Sequence, residues 1–118
     1  MNNRKPVLEF ADTDGKKYVF HKKNYDKHSK RHPEILEPGY LKSLKEMILN
    51  CPPDMIFKSY TDRRAFVYYD SLAETPTGTW YNHAVIYKSK GIYDIATAFR
   101  FVGQIREKRY WKCENKRP

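Results

Sequence analysis

Apolar positions gather near the start of the chain in two short runs. Val7, Leu8 and Phe10 carry the first, and Tyr18, Val19 and Phe20 carry the second. Asp12, Thr13, Asp14 and Gly15 between them are turn-forming residues, so the pair is expected to form a β-hairpin. The polar stretch 21–31 follows. It has no β-branched run and predicts a short helix with Asn24 as candidate N-cap. Pro33 disfavours helical geometry at His32, so this helix should end near Arg31. Leu41, Leu44, Ile48 and Cys51 then recur at helical spacing, with Met47 on the same side. Lys42, Lys45 and Glu46 fill the other face. The pattern predicts a helix of about three turns, opened by Pro38-Gly39 and stopped by Pro52 and Pro53.

The second half alternates at the strand period. Runs at 55–60, 65–69, 80–87 and 92–99 are separated by turn or loop residues at 61–63, 74–78 and 89–91. Such short connections imply an antiparallel meander. In the last run, strict alternation places Ile92, Asp94, Ala96 and Ala98 on one face and Tyr93, Ile95, Thr97 and Phe99 on the other. Residues 100–118 are basic. Val102, Ile105 and Arg109 fit one side of a helix, which Gly103 weakens, and 112–118 is expected to be a flexible tail. The expected fold class is α+β: a hairpin extension over 1–22 and helices packed on a four-stranded antiparallel sheet, in one domain spanning 1–118.

Charge changes the picture. Twenty-three Lys and Arg oppose 14 Asp and Glu, for a net charge of +9. That imbalance attracts polyanions, nucleic acid above all, although a merely soluble basic protein has the same composition. Ten Tyr, 6 Phe and 2 Trp among the cations suit stacking on unpaired bases. Most of these aromatics should nonetheless lie in the core or on strands. No apolar run is long enough to span a bilayer, and no apolar segment follows the charged N-terminus as in a signal peptide. A cytoplasmic location without membrane association is the expectation. Cys51 and Cys113 need not pair, and reduced thiols fit that compartment.

His28-Ser29-Lys30-Arg31-His32-Pro33-Glu34 resembles the H-x-x-R-H-P-E signature of phage-associated nucleases in the barnase/EndoU/colicin/RelE-like superfamily. Three features follow in the family's order. Pro53-Asp54-Met55-Ile56 resembles its P-D-x-I step from helix to first strand. Tyr68-Tyr69 stands at its aromatic second strand, and Thr97-Ala98-Phe99 resembles its closing T-A-F strand. The resemblance covers roughly residues 24–100. It implies a small ribonuclease-toxin fold with RNA on the open face of the sheet. It also implies cleavage without metal or other cofactor, and an acidic antitoxin or immunity protein as partner.

Metal-free RNA cleavage needs a base for the 2′-hydroxyl proton, an acid for the leaving 5′-oxygen, and cations for the phosphorane. Of His21, His28, His32 and His83, His28 is the leading candidate, because it matches the first signature position. Arg31, three residues on, would share its face and grip phosphate, or else pair with Glu34. A solvated polar face is the plainer account of both. His32 and Glu34 are expected to brace the helix rather than react. Thr97 could orient a phosphate, or be threonine in a strand, and Tyr68 completes the catalytic set. Lys58, Arg64, Lys88, Tyr93 and Arg100 are the candidate RNA contacts, with strand-edge lysines against aggregation as the competing account. His28 and His32 have a spacing that zinc can use, but Pro33 should break the helix aligning them, so no metal site is expected. No Walker loop, nucleophile elbow or paired carboxylates are present. A metal-independent endoribonuclease is therefore the first expectation. A non-catalytic nucleic-acid-binding module on the same fold is the second, and a domain whose basic face meets an acidic protein is the third.

Overall fold

A computed structural model describes residues 5–51, 56–59, 65–75, 78–102 and 110–112. For residues 59, 65–75, 78–82, 100–102 and 110–112 it describes the backbone alone. The hairpin forms as expected: β1 (Pro6–Ala11) pairs antiparallel with β2 (Lys17–His21). Asp12 closes the turn by accepting the backbone N–H groups of Asp14 and Lys16 on Oδ1, at 3.0 and 2.9 Å. This is the side-chain mimicry that suits Asp to turns.

Helix α1 (Lys22–Ser29) starts directly at the end of β2. Its N-cap is therefore His21, not Asn24, and no side chain caps it. The helix ends as Pro33 requires, with the Arg31 and His32 N–H groups both donating to the His28 carbonyl. A short 3₁₀ turn (Pro33–Leu36) follows, and Ile35 on it is fully buried. The Tyr25 hydroxyl donates to the Ile35 carbonyl at 3.2 Å and ties α1 to that turn. Helix α2 (Tyr40–Asn50) buries Tyr40, Leu44, Met47 and Ile48. This is the apolar stripe that its spacing predicts, except that Tyr40 replaces Leu41 as the deepest first-turn residue.

The strands β3 (Ile56–Ser59), β4 (Ala65–Thr75), β5 (Gly78–Ser89), β6 (Ile92–Val102) and β7 (Tyr110–Lys112) complete a seven-stranded sheet in the order β1-β2-β6-β5-β4-β3-β7. The class is α+β, but the expected four-stranded antiparallel sheet is corrected to a mixed one. β2 runs parallel to β6, with Tyr18 opposite Tyr93, and their rings lie 4.8 Å apart. The hairpin thus covers an edge of β6 that a bare meander would leave unpaired. Tyr18 and Phe20 become fully buried members of the core. β4 and β5 are longer than expected, so the loop foreseen at 74–78 contracts. Val102 is strand, not helix. The rest of the expected C-terminal helix (103–109), the turn at 61–63, Pro53 to Met55 and the tail after Lys112 lie outside the described residues.

The β5–β6 turn has positive φ at both Lys90 (49°) and Gly91 (81°), the type I′ geometry that matches strand twist. Pairing runs regularly from it, Ser89 with Ile92 back to Ile86 with Ile95. It then shifts by one residue, so that Val85 pairs with Thr97 and His83 with Phe99. Ala96 is the extra residue of a β-bulge. Strict alternation therefore fails along β6. Tyr93, Ile95 and Ala98 are buried, whereas Thr97 and Phe99 are half-buried on another row.

Candidate functional site

β2 pairs with β6 only as far as Val19 and Asp94. Beyond that point the neighbour of β6 is α1, which packs against both strands. This geometry brings His28, on the last turn of α1, to the bulge. His28 Nε2 lies 3.3 Å from Thr97 Oγ1, and the ring also hydrogen-bonds the Ala96 carbonyl. In a neutral ring, Nε2 can accept the Thr97 hydroxyl proton. Sequence reasoning named both residues, 69 positions apart, as site candidates, and the structure brings them together.

Burial pushes the His28 imidazole below its ordinary value, and the nearby charges of Lys27, His32 and Arg31 push it the same way. The Ala96 hydrogen bond opposes them and is the weakest influence of the set. The ring is therefore neutral at pH 7, the state in which it can take a proton. Arg31 is exposed and stands close enough for its charge to act on His28.

A second group of rings adjoins this pair. His32 stacks on Phe99 with centroids 4.6 Å apart and planes 17° from parallel. His83 stacks on the same Phe99 at 4.7 Å and 14°. His32 Nδ1 also faces Glu34 Oε2 at 3.7 Å, too long for a hydrogen bond. His32 and Glu34 thus join the turn after α1 to β6. His83 was not among the site candidates. It is 7% exposed, and burial holds its imidazole down at about 4. Its signal in the sequence was a polar residue beside Asn82 within a largely apolar strand, which by itself points nowhere.

The other expected contacts do not assemble here. Tyr93 is corrected from a base-stacking platform to a core residue. It is 1% exposed, packed on Tyr18, with Lys88 Nζ 5.5 Å from its ring centroid. Lys88 and Tyr93 sit three β5 positions before the register of Thr97, about 10 Å along the strand. Lys58 is half-buried and aligned with Phe66 and Trp111. It stands three strands from β6, about 14 Å across the sheet. The backbone of Tyr68 is in register with Ala84 and Ile56, while Tyr69 is the β4 residue aligned with His83. Arg100 is in register with Asn82. Arg64 lies outside the described residues.

Among the described residues no three His, Cys, Asp or Glu side chains gather as a metal ion could use, and no helix is long and apolar enough to cross a membrane. Cys51 is buried, and Cys113 lies outside the described residues. No protein-family model, curated protein or solved structure matches the chain.

Proposed function

We propose that the chain is an endoribonuclease that cleaves RNA without a metal, in the manner of the ribonuclease toxins its sequence resembles. The observation that carries this reading is the pairing of a neutral, half-buried imidazole with a strand hydroxyl at 3.3 Å, flanked by the cations Lys27 and Arg31. His28 takes the proton of a ribose 2′-hydroxyl. The 2′-oxygen attacks the adjacent phosphorus, forming the P–O2′ bond and breaking P–O5′. Thr97 orients a non-bridging phosphate oxygen, and Arg31 offsets the charge gathering on the phosphorane. The leaving 5′-oxygen takes a proton from solvent. The products are a 2′,3′-cyclic phosphate and a 5′-hydroxyl. An acidic antitoxin or immunity protein is the partner that such an activity calls for.

Incubating the protein with RNA in chelator and mapping the ends tests this reading. Cyclic phosphate ends are the expected result. Intact RNA, or ends bearing a 3′-hydroxyl, would contradict it. Intact RNA accompanied by salt-sensitive binding would leave the same face as a non-catalytic nucleic-acid-binding module, which the exposed cations of α1 favour on their own.

A further inference from the structure

We propose that Lys23, Lys27 and Lys30 form a track along α1 for the phosphates of a single-stranded RNA whose scissile nucleotide sits at His28 and Thr97. This rests on the ribonuclease reading above and adds the surface that holds the rest of the strand. The three lysines are spaced four and three residues apart. At 3.6 residues per turn they fall within roughly 60° of one another and make a straight row about 10 Å long. All three are exposed, and no carboxylate pairs with them among the described residues. The acid on the helix, Asp26, is already held by Lys22 at 2.6 Å. The row therefore presents uncompensated charge of one sign. Its middle member, Lys27, directly precedes His28 in α1 and stands close enough for its charge to act on that ring.

The chemistry of the row favours a phosphate chain over an acidic protein. Lysine is a point charge that binds phosphates without demanding one geometry. Protein interfaces are depleted in lysine and centre on apolar anchors, and no residue of α1 is buried or presents such an anchor. An unpaired strand is favoured over a duplex, because A-form pairing holds the 2′-hydroxyl away from the line of attack on phosphorus.

The test compares two variants with equal loss of charge. One is Lys23→Gln with Lys27→Gln and Lys30→Gln; the other is Lys5→Gln with Lys42→Gln and Lys90→Asn, all exposed and off this row. Binding of a fluorescent single-stranded oligoribonucleotide is followed against salt, with circular dichroism confirming the fold. The α1 variant is expected to lower the log–log salt slope by about 2, near 0.7 for each phosphate released. The control variant should leave the slope unchanged. Because Lys27 also flanks the site, dinucleotide cleavage is read in a Lys23→Gln with Lys30→Gln variant, where it should be unaffected while kcat/KM on the oligonucleotide falls. Equal slope losses in the two variants would overturn the proposal. So would tighter binding of duplex RNA, or binding of poly-glutamate that depends on the same three lysines. His28→Ala is expected to keep the slope while losing cleavage. If the unaltered chain cleaves nothing, the ribonuclease reading fails, and the slope comparison still decides whether the row binds RNA.

Discussion

Tyr93 and Ile95, before the bulge in β6, are buried in the core, whereas Thr97 and Phe99, just after it, are half-buried against α1 and two imidazoles. One strand thus serves as core in its first half and as site in its second. The difference comes from a single extra residue, Ala96, which shifts the pairing with β5, and from the point at which β2 gives way to α1. Before the bulge a strand covers the edge of β6; after it a helix does, and a helix carries side chains with reactive groups to that edge. A regular strand would have put Thr97 on the row of Tyr93 and Ile95, inside the core.

The largest effects should come from the sealed half. Tyr93→Ala removes a fully buried ring and should cost about 3–5 kcal/mol in denaturant unfolding. Phe99→Ala, in the open half, should cost less, about 1–2 kcal/mol. Equal costs would erase the contrast. Acid should act next, through His83. A histidine held below its unfolded value binds protons more readily when unfolded, so its contribution to stability is complete above about 6.5 and is lost as pH falls toward about 4. The loss amounts to roughly 3 kcal/mol, and His28 acts in the same direction. His83→Phe should flatten most of that slope in urea titrations at successive pH values; an unchanged slope would show that other groups control acid unfolding. The smallest effect belongs to the hydroxyl. Thr97→Ala should slow RNA cleavage roughly tenfold, about the worth of one hydrogen bond, with little change in stability, and Thr97→Ser should restore the rate. A destabilised Thr97→Ala protein would make the residue structural.

The elements on either side of this contrast were legible in the sequence, but the contrast itself was not. The turn residues at 12–15 and the helical spacing of Leu44, Met47 and Ile48 each speak for local structure, and each element formed. His28 and Thr97 were named together through a resemblance of motifs in order. The parallel pairing of β2 with β6 left no local mark, because it joins segments more than 70 residues apart through no shared turn. The bulge was equally silent: nothing in Ile95-Ala96-Thr97 distinguishes an inserted residue from a regular one. Counting back from the Lys90-Gly91 turn without it pairs His83 with Ala98, and the stack on Phe99 disappears. Tyr93 failed as an RNA contact for the same reason, since unbroken alternation put it on the same face as Thr97.

The most direct test of the account is the single-turnover cleavage rate of a short RNA by His28→Ala beside the unaltered chain, in chelator, with a 2′-deoxy substitution at the cut site as control. Cleavage by the unaltered chain, a fall of about 10² or more in the variant, and an uncut deoxy substrate are the predicted results. A His28→Ala chain that cuts as fast as the original, or a deoxy substrate that is cut, would contradict the account.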